Sequence, residues 1–571
     1  MTGPAPAGAS DPAGPAVFAT LDLGSATTAA ALVGRAGGRW RLLAAAALPA
    51  GADPDALVAL LCDRVRAADP GLAGALGLAE AAAVGDATAA DAASSSAAST
   101  ARLPDRAAAI DRLVARTMRP PTMLLVAATE RGREELEAVA ATAGWLTAGA
   151  SAERHDPVAI VRLATRAGID GLLVGTADPP GADERGLVEE LAGVAGAVAA
   201  RRPGIPVVLA GAVGRVAPAL ARRDGEVAAV PDAVLAPAAA GGNPAGSELR
   251  QLLDDLRPGA DDGRRALARA AGSLARVLGR RVEVVDVGAS GASRILASPD
   301  PAAVGGVRLS RVDVPAGALL ALDAGDAIDR VDAWSAVALD RARLRDRLAE
   351  MRLAPWSDLA GDGAPLRAAA LRAALERLAA ASDPLLGETT PDLLVATGAF
   401  GALPAPAVAL VLADVLRRPG ATQLALDAAR LLAPLGTIVD DAARDAWIAD
   451  LAEDLLVPLG TVVIARDARP GRPAGRVAVD ADGAAGEIDL EAGALALVDL
   501  PPGQQGLADL RFRSTVDLGT RGRHFVVPVV GGLAGLLVDL RDLPDGLPGR
   551  PDRRRELLAG WERALWPERG E

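Results

Sequence analysis

Phe18-Ala19-Thr20-Leu21-Asp22-Leu23-Gly24-Ser25-Ala26-Thr27-Thr28-Ala29-Ala30-Ala31-Leu32-Val33 sets two apolar runs around a short polar turn. The alternation reads as strand, tight connection, strand. Asp22 ends the first strand and faces the turn. Gly24 lets the backbone come close to a ligand. Ser25, Thr27 and Thr28 add hydroxyls beside the turn N–H groups. Such a turn suits phosphate oxygens, with the acid left to hold a magnesium ion through water. Taken alone, the stretch reads first as a β-hairpin with a polar tip, because short motifs recur by chance.

A second copy changes that balance. Val282-Glu283-Val284-Val285-Asp286-Val287-Gly288-Ala289-Ser290-Gly291-Ala292-Ser293 repeats the pattern of apolar strand, Asp-x-Gly and small residues. Later, Pro391-Asp392-Leu393-Leu394-Val395-Ala396-Thr397-Gly398-Ala399-Phe400-Gly401 runs a buried strand into a glycine loop. Two Asp-x-Gly hairpins followed by a strand-to-glycine loop resemble the actin, sugar kinase and Hsp70 ATPase superfamily. The resemblance implies an α/β fold with two actin-like (ribonuclease H-like) lobes. It implies that Asp22 and Asp286 position magnesium and water as the candidate catalytic and metal-holding acids. It further implies that Gly24, Ser25, Thr27, Thr28, Gly288 and Ser290 lie around the phosphates, and that Thr397 and Gly398 border the adenosine.

Composition narrows the chemistry. At 571 residues the chain exceeds one hydrophobic core, so several domains are expected. No run of apolar residues reaches the length of a membrane span. Residues 1–16 read as a disordered Gly/Ala/Pro tail rather than a signal peptide. Cys62 is the single cysteine, which excludes an internal disulfide and fits a cytoplasmic location. A net charge of −13 argues against nucleic-acid binding. All 60 basic residues are arginine. Without lysine there is no P-loop lysine, no protein-kinase lysine and no Schiff base. Nucleotide chemistry here has to rest on backbone turns and acids.

Along the chain, residues 17–245 are expected to form the first lobe with an inserted α/β unit. Residues 246–457 form the second lobe, and 458–571 a β-rich C-terminal module closed by a helix. Within the first lobe, Phe18–Ala47 reads as three strands, Asp53–Ala68 as a helix and Ala107–Thr117 as a short amphipathic helix. Ala81–Ala101 is a low-complexity stretch. Strands at Asp170–Gly175 and Ile205–Ala210, alternating with helices, imply a parallel sheet with loops such as Gly175-Thr176-Ala177-Asp178 at its carboxyl edge. Helices are expected over Arg264–Leu278, Asp332–Leu348, Leu366–Ala380 and Asp427–Leu435. After Pro458, turn residues recur among short apolar runs, which indicates β-structure.

The segments between the hairpins narrow the resemblance. Asp170–Asp178 with Ile205–Gly211, then Leu424-Ala425-Leu426-Asp427 with Leu432–Gly436, then Val530–Arg541 with Arg553 and Trp561, are similar to the glutamate mutase L family from about residue 17 to 567. That resemblance implies an accessory, chaperone-like protein of an adenosylcobalamin-dependent carbon-skeleton mutase. ATP and magnesium are then the implied cofactors, and cobalamin enters only through the partner; neither nucleic acid nor membrane is a partner. The departures are specific. A family lysine is Ala29 here, and Gly291, Ala292 and Ser293 stand where the second hairpin has two threonines and an acid. Weak ATP binding and very slow or absent hydrolysis are therefore expected, with a non-catalytic scaffold as the alternative. Among other residues, His155 and His524 fall in different expected domains, which disfavours a shared metal or acid–base role. Arg511, Arg513, Arg521 and Arg523 read first as a solvated sheet face.

Overall fold

The computed structural model describes residues 17–78, 110–117, 120–176, 185–216, 227–230, 244–256, 262–289, 291–315, 327–353, 363–381, 390–416, 418–468, 472–481, 484–541 and 547–565. The N-terminal tail, the stretch 81–101 and Ser290 lie outside them, as do Ala177 and Asp178.

The first lobe opens with an antiparallel meander of β1 (Val17–Leu23), β2 (Thr27–Ala36) and β3 (Arg39–Pro49). A fourth strand, β4 (Asp111–Arg116), lies parallel to β1, giving the order β3-β2-β1-β4. This strand corrects the expected helix over Ala107–Thr117. Leu113 packs into one core and Val114 into another, so the described part has the two-residue period of a strand inserted between layers. Pairing along the edge of β1 overrides the weak helical spacing. The helix Pro54–Ala68, capped by Asp53, covers the outer face of this sheet with Leu57, Val58 and Leu61.

The inserted unit is a parallel sheet of β5 (Thr122–Ala127), β6 (Leu146–Ser151), β7 (Gly171–Gly175), β8 (Val207–Ala210) and β9 (Val227–Val230). Its order is β6-β5-β7-β8-β9, with helices between strands. The central strands β5, β7 and β8 are near-continuous apolar runs because both faces are covered.

The second lobe repeats the first. An antiparallel meander of β10 (Val282–Val287), β11 (Ala292–Pro299) and β12 (Val307–Val314) is followed by β13 (Leu393–Gly398) and β14 (Gly420–Leu426), both parallel to β10. The order β12-β11-β10-β13-β14 extends by one strand the β3-β2-β1-β4 of the first lobe. Two meander-led sheets of one strand order define the actin-like, ribonuclease H-like architecture.

The C-terminal region divides rather than standing as one module. In it, β15 (Val457–Ile464) joins β14. Beyond it lie β16 (Pro473–Ala481), β17 (Ala484–Glu491), β18 (Leu495–Val498), β19 (Gln505–Asp517), β20 (Arg521–Val530) and β21 (Leu536–Asp539). Strands β15, β21 and β18 continue the second lobe's sheet, while β17-β16-β19-β20 form a separate antiparallel sheet. The last helix, Pro551–Leu565, buries Leu558, Trp561 and Leu565 in the second lobe's core. Arg541 fastens it from below, its guanidinium 4.3 Å from the Trp561 ring and bonded to Asp539 and Asp414.

Two helical expectations also change. The span Asp332–Leu348 is two helices, Ala327–Trp334 and Arg341–Leu353. Only Leu432–Leu435 of Asp427–Leu435 is helical. A further helix, Asp441–Leu455, joins the lobes. Its Trp447 stacks on Trp40 of β3 at 4.4 Å between centroids, with Phe18 of β1 edge-on to both. Arg41 pairs with Glu453 nearby. Both lobes share this core with the helix Gly263–Leu278. Among the described residues no helix is long and apolar enough to cross a membrane.

Candidate functional site: a cleft between two equivalent hairpins

The two Asp-x-Gly hairpins have one construction. Asp22 pairs with Ala29 across β1–β2, and Asp286 with Ser293 across β10–β11. The Gly24 N–H donates to the Thr27 carbonyl at 2.9 Å, and the Gly288 N–H to the Gly291 carbonyl at 2.8 Å. Register therefore matches Asp22 with Asp286, Gly24 with Gly288 and Thr27 with Gly291. The reason for glycine at the first turn position is spatial: a Cβ on Gly24 would stand 2.8 Å from the Thr27 carbonyl oxygen.

Both turns line one cleft, which encloses about 1070 Å³ including its open mouth. Asp22, Gly24, Ser25 and Thr27 face it from the first lobe, and Asp286, Gly288, Thr397 and Gly398 from the second. Thr28 does not line it; its side chain is buried within β2, opposite Leu23. Ser290 lies outside the described residues. Gly398 has a requirement of its own. Its φ is +77°, and a Cβ there would stand 2.4 Å from Asp286 Oδ1 and 2.6 Å from the Val287 carbonyl oxygen.

Three acids meet in this cleft. Burial raises the pKa of Asp22, opposed by Arg430. Asp286 is pushed up to about 7 by burial and by the neighbouring Asp22 charge, with Arg430 and Arg264 pulling the other way. Asp427 rises to about 6 through burial, although the Leu431 and Leu432 N–H groups donate to it at 2.8 and 3.2 Å. Thr397 Oγ1 also donates to Asp427, at 3.3 Å. Asp22 of the first lobe and Asp286 and Asp427 of the second line the same cleft, where the Asp22 charge acts on both of the others.

Sequence reasoning missed Asp427, Arg430 and Arg264. Asp427 carries the same signal as Asp22 and Asp286, an acid ending an apolar strand, here Leu424–Leu426. The two arginines carry no such signal. Arg430 sits at φ +54°, one of two non-glycine residues with positive φ among those described. That turn aims its side chain across the cleft. Its guanidinium lies 3.8 Å from the Asp22 carboxylate, donates to Thr27 Oγ1, and reaches the Gly398 carbonyl at 3.4 Å. One side chain of the second lobe thus grips the first hairpin at the corner where Thr27 stands. Arg264 reaches the matching corner of the second hairpin, against Gly291.

The cleft fits phosphate better than it fits magnesium. Turn glycines and two guanidinium groups are anion-binding elements. A guanidinium beside Asp22 competes for the carboxylate that would hold the cation. Among the described residues no three acid, histidine or cysteine side chains are grouped to hold a metal.

No protein-family description matches the chain, and no curated protein matches it. Among solved structures, nucleotide-free acetone carboxylase, from work on ATP-dependent acetone carboxylation, is similar over 83% of this chain and 81% of its own, with 11% identity and a TM-score of 0.27. A Ppx/GppA family protein of Aquifex aeolicus is similar over 76% of this chain and 90% of its own, at 9% identity and a TM-score of 0.18. The type II variant of the Aquifex aeolicus Ppx/GppA phosphatase covers 76% and 91%, at 9% identity and a TM-score of 0.17. The fold assignment stands on the repeated strand order, not on these likenesses.

Proposed function

We propose that this protein is a nucleotide-binding accessory protein of actin-like architecture, whose cleft holds a nucleotide through its phosphates and turns it over slowly or not at all. The observation that carries this reading is the pair of register-matched hairpin turns facing one cleft, with Arg430 of the second lobe gripping Asp22 and Thr27 of the first. Backbone N–H groups of Ser25 to Thr27 and of Ala289 would hold phosphate oxygens. Thr397 and Gly398 would border the nucleoside. Asp22 and Asp286 would stand near the terminal phosphoryl group, where an acid can accept a proton from attacking water.

Fast hydrolysis needs charge-neutralising donors around that group. Ala29, Gly291 and Ala292 bring no side-chain donor. An adenosylcobalamin-dependent carbon-skeleton mutase is the proposed partner. Support for that part is the order of sequence blocks resembling the glutamate mutase L family. The second reading, a scaffold that keeps the fold without nucleotide, is favoured by the Arg430–Asp22 contact, which engages the acid that would act at the phosphoryl group.

Calorimetric titration with ATP and with ADP, followed by co-purification with such a mutase, separates the readings. Nucleotide binding that changes affinity for the mutase supports the accessory role. Mutase binding with no nucleotide binding leaves the scaffold. Neither kind of binding removes both.

A further inference from the structure

We infer that Arg264 is an anion receptor in this cleft, receiving the terminal phosphoryl group of a bound nucleotide without help from a divalent cation; this rests on the reading of the cleft as a nucleotide site. Arg264 is the second residue of the helix Gly263–Leu278, whose cap Asp262 accepts from the Arg265 N–H at 3.0 Å. Its side chain is only 8% exposed, lines the cleft, and leaves Nη1 and Nη2 without a hydrogen-bond partner among the described residues.

An unpaired guanidinium is costly to bury, and arginine cannot relieve the cost by losing its proton. The acids around it do not serve. Asp313 accepts from Ser293 Oγ at 2.6 Å through Oδ1, its Oδ2 forms an ion pair with Arg311 Nε at 2.9 Å without a hydrogen bond, and no hydrogen bond joins it to Arg264 among the described residues. Asp286 acts on Arg264 through space, and no hydrogen bond joins them among the described residues. The position is cleared for the guanidinium, since a Cβ on Gly291 would stand 2.2 Å from Nη2. Gly291 is the register counterpart of Thr27, so two arginines meet the two hairpins at equivalent corners, Arg430 at one and Arg264 at the other.

A planar fork of N–H donors matches the oxygens of a phosphoryl group. Arg430, 3.8 Å from Asp22, already supplies positive charge where a magnesium ion would sit. Together the two guanidinium groups offset phosphate charge, and the cation becomes dispensable. The ligand class is a nucleoside triphosphate, distinguished from its monophosphate by this contact.

The test is calorimetric titration of the full chain with a non-hydrolysable ATP analogue and with AMP, in magnesium and in chelator, for wild type, Arg264→Gln, Arg264→Lys and Arg264→Met. The expected result is analogue binding of similar strength with and without magnesium. Arg264→Gln should weaken it by about 10- to 100-fold, the range of a charge-assisted hydrogen bond. AMP binding should be unchanged, and Arg264→Lys, lacking the fork, should recover little. Arg264→Met should resist denaturant as well as or better than wild type without ligand, and gain nothing from the analogue. A purely structural arginine would give the reverse, a less stable variant with normal ligand affinity, and would overturn the inference. So would a strict requirement for magnesium, while the nucleotide cleft itself would stand. Wild type that binds no phosphate compound overturns both.

Discussion

Replacing Asp286 by asparagine should stabilise the protein in a way that depends on pH. The carboxyl of Asp286 is pushed up to about 7 from an ordinary value of 3.8, by burial and by Asp22. Below the ordinary value both folded and unfolded chains hold the proton, and the shift has no effect. Between that value and about 7 the folded chain keeps a proton the unfolded chain has lost, so stability falls as pH rises. Above about 7 the full cost is present, roughly 4 kcal/mol at ~1.4 kcal/mol per pH unit, an upper bound because the site opens to the cleft. By about pH 5 only about a third of it has accumulated. Asparagine never ionises. The gap between Asp286→Asn and wild type should therefore widen in the variant's favour by up to ~3 kcal/mol from about pH 5 to about pH 8.5. Any constant packing effect of the amide cancels in that difference. Urea unfolding followed by tryptophan fluorescence measures it, since the Trp40–Trp447 stack reports on the joint between the lobes. A gap of the same size at both pH values would refute the argument that Asp286 and Asp22 share a buried, repulsive site.

Two further substitutions probe the frame around the cleft. Gly398→Ala would place a methyl 2.4 Å from Asp286 Oδ1 and 2.6 Å from a backbone oxygen, at φ +77°; it should cost about 2 kcal/mol or more in thermal or urea unfolding, and an unchanged midpoint would contradict the geometry. Arg541→Ala should cost about 3–5 kcal/mol by stranding the buried Asp539 charge and taking from Asp414 one of its two arginine partners, the other being Arg372. Because Arg541 also packs on Trp561, limited proteolysis should then release the C-terminal helix, and a protease-resistant variant would show that the helix is held by other contacts.

What the sequence disclosed follows from how local each signal is. Strands β1 to β3, β10 and β11 were readable because each alternates or runs apolar, and an Asp-x-Gly turn ends β1 and β10. The matched turns put Asp22 and Asp286 in the same place within each hairpin. Strand β4 was misread because six residues with Leu113 and Val114 fit a helical face until β1 supplies an edge to pair with. The C-terminal strands were readable as strands, but not their division between two sheets, since β15 and β21 find each other across more than seventy residues of chain. Asp427 could have been suspected from its strand-terminal position. Arg430 and Arg264 could not, because their roles arise from a positive φ in one turn and a bare glycine opposite the other. Those facts exist only once both lobes are in place.

The central claim is that the cleft binds nucleotide and hydrolyses it slowly or not at all. Steady-state phosphate release by the purified chain with ATP and magnesium, run beside Asp22→Ala and paired with a binding isotherm, tests it most directly. The account predicts saturable ATP binding with turnover far below ~1 per second, the low end of kinase rates. Turnover at or above that rate that disappears in Asp22→Ala, or no ATP binding at all, would contradict it.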